Sequence, residues 1–168
     1  QTIATAANAI RCGEEDVVIA GGVESMSLVP MLVGAEDADP WLAEHRPEVY
    51  TTMGITAENV ARQWGISRAD MDAMAVESHR RAAQAQAGGC FDGQIIPITV
   101  HGKRENTVIT TDEHVRRDTT LEKLAKLKPT FKADGRVTAG NASGMNDASS
   151  GVLLMEEELS KKLGLPIL

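Results

Sequence analysis

The chain is short of cysteine. Its two, Cys12 and Cys90, form neither a metal-ligand nor a redox spacing, which excludes a cysteine-based zinc or thiol–disulfide motif. So few thiols fit a reducing compartment. No apolar run approaches the length of a membrane span. There is no excess of positive charge: the net charge of -7 argues against general nucleic-acid binding. Neither an internal repeat nor a low-complexity segment is present. No signal-peptide pattern is visible, and the chain does not begin with Met, so the true N-terminus stays open. What remains is ordinary for a soluble globular protein, with 42% hydrophobic and 24% charged residues. At 168 residues the chain could bury most of its unfolded surface as one domain.

Charge is unevenly spread. Residues 116–136 carry seven basic side chains (Arg116, Arg117, Lys123, Lys126, Lys128, Lys132, Arg136) against Asp118, Glu122 and Asp134. That segment is +4, and the rest of the chain is therefore -11. A local basic stretch on an acidic protein suits a small polyanion such as a nucleotide better than a nucleic acid. From the charges alone, a solvated surface is the better reading.

Residues 1–11 place Ile3, Ala6, Ala7 and Ile10 on one helical face, with Gly13 as the stop. Residues 16–22, Asp-Val-Val-Ile-Ala-Gly-Gly, read as a buried strand. Helix, turn and strand make half of a βαβ unit, so the sequence is expected to start inside a domain. Residues 28–50 lack a clear period and carry Pro30, Pro40 and Pro47, which predicts a surface excursion anchored by Trp41 and Leu42. His45 has no second ligand spaced near it.

A helix is expected over 53–64, stopped by Gly65. Ser67 to Asp70 is a capping-box pattern opening a long helix to about Ala87. Met71, Met74, Ala75, Ser78 and Ala82 form its expected inner stripe, with His79 beside it as a structural histidine. Residues 94–100 read as a strand, placed at an edge by Pro97, and 107–110 as another. Thr119 or Thr120 caps a short helix through Leu124. Residues 156–163 form a charged amphipathic helix ending at Gly164, and 165–168 resemble a strand cut short.

The most distinctive stretch is 137–147, Val-Thr-Ala-Gly-Asn-Ala-Ser-Gly-Met-Asn-Asp. Its small residues let a ligand approach the main chain, and Asn141, Asn146 and Asp147 are turn formers that bond their own backbone. The apolar run 148–155 then reads as a buried strand. From the pattern alone, a tight loop ahead of a core strand accounts for all of this.

Residues 137–147 resemble the coenzyme A loop of the thiolases nearly residue for residue. Two further runs resemble the same family: Gly-Gly-Val-Glu-Ser-Met-Ser at 21–27, which there leads into the subunit interface region, and Met-Gly-Ile-Thr-Ala-Glu-Asn-Val-Ala at 53–61. The resemblance covers the chain from end to end. It implies an α/β protein of the layered αβαβα thiolase-like fold. Residues 1–27 would then be the end of the N-terminal core. Residues 28–136 would be the loop domain with the interface and coenzyme A segments, and 137–168 the coenzyme A loop returning to a core strand and helix.

The family makes or cleaves the carbon–carbon bond of a 3-oxoacyl-CoA. A nucleophilic cysteine carries the acyl group, a histidine activates it, and a second cysteine moves a proton. By motif, none of these catalytic residues falls in this chain. The nucleophile is expected just before Gln1, and the histidine and second cysteine after Leu168. Cys12 sits at the wrong end of its helix for a stabilised thiolate, and Cys90 has no base nearby in sequence.

The coenzyme A cradle remains. The resemblance assigns Arg116 to the nucleotide, Phe131 and Ala139 to the pantetheine tunnel, Ser143 to a pantetheine amide, and Met53 to the acyl end. Apolar walls with a few amide partners are what such a tunnel requires. Coenzyme A and acyl-CoA are the implied partners, as substrates and with no resident cofactor or metal, alongside a homodimer or homotetramer. No nucleic acid and no membrane span are expected. The compartment would be cytoplasmic in a bacterium, with mitochondrion or peroxisome open. Thr52 stands where many short-chain biosynthetic members carry His, which tilts the expectation toward a degradative 3-ketoacyl-CoA thiolase. Two alternatives are a non-catalytic thiolase-like protein that binds acyl-CoA or lipid, and an acyl-carrier condensing enzyme. The loop at 137–147 argues against the latter.

Overall fold

The computed structural model describes residues 1–29 and 37–168 and shows an α/β chain in two compact units. One unit is Gln1–Ala38 with Met145–Leu168, and the other is Asp39–Gly144. Residues 137–144 of the small-residue loop thus belong to the second unit and 145–147 to the first.

In the first unit, helix α1 (Thr2–Arg11) ends at Gly13, whose φ of 72° suits a residue without a Cβ. Strand β1 (Val17–Glu24) pairs antiparallel with β4 (Ala148–Met155), from Val17 opposite Met155 to Glu24 opposite Ala148. Gly21 faces Gly151 at the centre of this ladder. A Cβ on Gly21 would stand 2.9 Å from the Ser150 carbonyl oxygen. Helix α6 (Glu157–Leu163) follows β4 and stops at Gly164.

Both strands were expected to be buried, and neither is. Ala20 is the one buried residue of β1, while Ile19 and Val23 are 78% and 81% exposed. Leu153, opposite Ile19, is 57% exposed. Runs apolar on both faces need cover on both faces. Here α1 packs on the strand pair, with Ala6 and Ala20 buried, and the alternate residues Val17, Ile19 and Val23 face outward. The expected strand at 165–168 does not form among the described residues.

The second unit opens with α2 (Pro40–His45), capped by Asp39, whose carboxylate accepts from the Leu42 N–H at 2.9 Å. Trp41 does not anchor this stretch in a core. It is 59% exposed, and its ring stacks on His45 with centroids 4.6 Å apart. Pro30, part of the same predicted excursion, lies outside the described residues. Helix α3 (Met53–Gln63) and helix α4 (Arg68–Ala87) are separated by a turn at Gly65, φ 66°. The Ser67–Asp70 capping box forms as expected. Hydrogen bonds from Ser67 hold the Asp70 carboxyl below its ordinary range.

The inner face of α4 differs from the predicted stripe. Asp72 and Ala75 are buried, whereas Met74 is 71% exposed and Ser78 is exposed. A periodicity count places an aspartate outside. Asp72 goes inside because Arg68 and Asn141 bond both of its oxygens. Beyond α4, β2 (Ile98–His101) and β3 (Asn106–Ile109) form a hairpin. β2 begins only after Pro97, which has no N–H to give to a ladder. Helix α5 (Leu121–Ala125) is capped by Thr120, which accepts from the Lys123 N–H.

Candidate functional site

All five candidate residues lie in the second unit. Its organising feature is the way residues 136–142 are held. Glu58, on α3 and 6% exposed, places one carboxyl oxygen 2.7 Å from two consecutive backbone N–H donors, those of Arg136 and Val137. The Arg136 guanidinium turns inward and donates to the carbonyls of Ala61, near the end of α3, and of Ile66 in the turn beyond it. The Val137 carbonyl accepts from the Thr130 N–H at 2.9 Å, tying the loop to the bend that carries Phe131. Thr138 is fully buried.

Asn141 closes the turn. Its Oδ1 accepts from the Thr138 N–H at 2.8 Å, and its Nδ2 donates to Arg136 O at 3.1 Å and Asp72 Oδ1 at 2.9 Å. The reading of Asn141 as a residue that bonds nearby backbone holds, and the structure adds the reach to α4. Gly140 is required to be small: a Cβ there would meet the side chains of Leu124 and Leu127. Asp147 departs from expectation. Its carboxylate accepts from the Ser27 N–H at 2.8 Å and the Ser27 hydroxyl at 2.5 Å, within the first unit, instead of bonding its own turn. These bonds hold the Asp147 carboxyl below its ordinary range, the Ser27 hydroxyl first among them.

Met53 is the first residue of α3 and is 72% exposed. Its neighbour Gly54 lies against the ring of Phe131, which is 43% exposed. Phe131 therefore packs beside the first turn of α3, which Met53 begins. Ala139 and Ser143 are both exposed, at either side of the Asn141 anchor. Arg116 is exposed as well, with its backbone N–H donating to His79 Nδ1 on α4 at 3.2 Å. His79 is thus the satisfied structural histidine the sequence suggested. Within the basic segment, Arg136 is structural, and Lys123 pairs with Asp118 at 2.6 Å. That pairing, first of all the Lys123 hydrogen bond, holds the Asp118 carboxyl below its ordinary range. A hollow of about 260 Å³, lined by Gln86, Phe91, Ile95, Thr111 and Arg117 among others, includes none of the five candidates in its wall.

Glu58, Asp72 and Arg68 were not legible as site residues. Their sequence signal was slight: Glu58 falls within the 53–61 run, and Arg68 and Asp72 stand four apart on one helix. Cys12 and Cys90 are both exposed, Cys12 at the C-terminal end of α1. Among the described residues no group of His, Cys, Asp and Glu side chains could hold a metal ion, and no helix is long and apolar enough to cross a membrane.

Comparison with known proteins agrees with the motif reading. The beta-ketothiolase of Cupriavidus necator is 45% identical over 98% of this chain and 45% of its own length. The 3-ketoacyl-CoA thiolase of Bacillus subtilis is 46% identical over 98% of this chain and 44% of its own. Among solved structures, the acetyl-CoA acetyltransferase of Bacillus anthracis superposes with a TM-score of 0.75 at 44% identity, covering 99% of this chain and 45% of that one. The chain thus spans less than half the length of the relatives it matches. Residues 1–158 match the family model for the thiolase N-terminal domain, and the chain belongs to the thiolase family, as a part of that domain with its α/β fold.

Proposed function

We propose that the protein carrying this chain transfers an acyl group to coenzyme A, cleaving or forming a 3-oxoacyl-CoA through a cysteine acyl-enzyme. The observation that carries this reading is the conformation of residues 137–144. Their backbone is fixed by buried side chains, while Ala139 and Ser143 stay exposed with little side chain in the way. That is the surface a narrow amide-bearing chain such as pantetheine needs: close access to backbone and a preset hydrogen-bond partner. In this reading Ser143 bonds a pantetheine amide, and Phe131 and Ala139 line the tunnel. Met53 faces the acyl group, and Arg116 meets the nucleotide. Coenzyme A enters as a substrate. In this reading none of the chain's own cysteines and histidines is the nucleophile, its activating histidine or the second cysteine.

A homodimer or homotetramer is part of the proposal, with residues 21–27 leading to the interface, as is a soluble compartment. The names of the relatives support the acyl-transfer reading. The test uses the full-length protein incubated with acetyl-CoA. Mass spectrometry of the intact chain should show a gain of one acetyl group, removed by added coenzyme A. Absence of the acyl-enzyme, together with no thiolysis of a 3-oxoacyl-CoA, would reject the proposal.

A further inference from the structure

We infer that Asp72 is a positioning residue for coenzyme A recognition, acting through Asn141 on the segment that presents Ser143. The inference rests on the coenzyme A reading of that loop and adds a residue that touches no substrate. Asp72 is 4% exposed in the middle of α4. Burying a carboxyl there is costly unless both oxygens are bonded. Oδ2 accepts from Arg68 Nε at 2.8 Å, and Oδ1 accepts from Asn141 Nδ2 at 2.9 Å.

Each partner extends the chain of contacts. Arg68 also donates to the carbonyls of Leu124 at 2.5 Å and Leu127 at 3.2 Å, so the network is braced on α5. The side-chain amide of Asn141 is oriented without ambiguity. Nδ2 faces two acceptors, Asp72 Oδ1 and Arg136 O, and Oδ1 faces one donor, the Thr138 N–H. Its backbone N–H and that of Ala142 both donate to Thr138 O, at 3.2 and 3.1 Å. Ser143 follows directly and is exposed. A turn fixed in this way presents its next residue in one orientation without ordering it at the moment of binding. Were the network only filler, an apolar residue at position 72 would serve as well. A fully bonded polar chain instead selects one loop conformation.

The experiment uses the full-length protein, with coenzyme A and pantetheine as probes in calorimetry. Asp72→Asn must aim its amide at either Arg68 or Asn141, both donors. It should weaken binding of both probes about tenfold at every salt concentration. In a Ser143→Ala background the same substitution should add less than twofold, because the contact it positions is already gone. Where Asp72→Asn does not fold, Asp72→Glu keeps the carboxylate facing Arg68 while displacing the oxygen that meets Asn141, and should show the same loss and the same dependence on Ser143. Three results overturn the inference. An Asp72→Asn protein that binds within twofold of the parent, while Ser143→Ala binds weakly, removes the positioning role and leaves the coenzyme A reading intact. A full tenfold loss repeated in the Ser143→Ala background makes Asp72 structural only. Unchanged affinity in Ser143→Ala alone removes the coenzyme A reading of the loop, and this inference with it.

Discussion

Gly54 lies directly against the ring of Phe131, so close that a Cβ on Gly54 would clash with three ring carbons. The contact sets Phe131 beside the first turn of α3, which Met53 begins. Gly54→Ala must move the ring, and Phe131, already 43% exposed, has room to move outward. Overpacking of this kind costs roughly 1–3 kcal/mol, and alanine in a helix returns about 0.5–1. The net is a destabilisation of about 0–2.5 kcal/mol, read as a lowered melting temperature. Affinity for coenzyme A should fall severalfold, because Phe131 no longer stands where the tunnel needs it. A variant that loses stability and keeps its affinity would show that Phe131 is packing alone.

Glu58 offers a sharper contrast between two substitutions. One of its oxygens serves both the Arg136 and Val137 N–H groups at 2.7 Å. Glu58→Gln keeps a carbonyl oxygen in that place and should cost under about 1 kcal/mol of stability. Glu58→Ala strands two inward-facing donors and should cost about 2–4 kcal/mol. Denaturant unfolding of the three proteins distinguishes these values. Equal losses for Gln and Ala would mean that water or a neighbour takes over from the carboxyl.

The elements of this fold were largely legible in the sequence, because their punctuation is local. Gly13, Gly65 and Gly164 stop three helices, and Ser67 with Asp70 starts another. What could not be read is which polar residues go inside. Met74 faces out and Asp72 faces in, against the count of apolar positions, because Arg68 at one turn's distance and Asn141 far along the chain supply the bonds. Asp147 likewise looked like a local turn former, yet it reaches Ser27 across 120 residues. Strand burial was misread for a related reason. Apolar composition on β1 and β4 says that a face can be covered, and tertiary arrangement decides whether it is.

Asp147 carries a pH prediction. Its folded carboxyl sits below the ordinary value of 3.8, so the folded state binds this proton less readily than the unfolded state. The contribution is complete above that value and is lost as the pH falls through the lower, folded one. Asp70, Asp118 and Glu77, the last held at about 2 by Arg80 and then Arg81, titrate on the same side. The useful quantity is therefore a difference. The melting temperature of the parent should exceed that of Asp147→Asn at neutral pH, and the gap should narrow as the pH falls from about 4 through the lower folded value. A gap that stays constant over that range would remove Asp147 from the pH response.

The two cysteines of this chain should be dispensable. Cys12 is exposed at the C-terminal end of α1, and Cys90 is exposed beyond α4. Cys12→Ser and Cys90→Ser in the full-length protein should each leave turnover within about twofold, a change below 0.5 kcal/mol in barrier height. Acyl-enzyme should still form in both. Loss of the acyl adduct in either variant would place the nucleophile inside this chain and contradict the motif assignment.

Arg116 and Ser143 should respond differently to salt. Arg116 is exposed, and it is held in place through its own backbone N–H on His79. A contact between such a guanidinium and a phosphate is screened, with a Debye length of about 10 Å at 0.1 M. Ser143, beside the Asn141 turn, offers a neutral hydrogen bond whose loss costs roughly 0.5–1.5 kcal/mol at any ionic strength. Arg116→Ala should therefore weaken coenzyme A binding most at low salt and flatten its salt dependence. Ser143→Ala should lower affinity by a constant factor. Pantetheine, which lacks the nucleotide, should be indifferent to Arg116→Ala and sensitive to Ser143→Ala. Calorimetric affinity against ionic strength, for both variants of the full-length protein, reads each outcome. Should Arg116→Ala leave affinity and salt slope unchanged, the nucleotide sits elsewhere and Arg116 is a solvated surface charge.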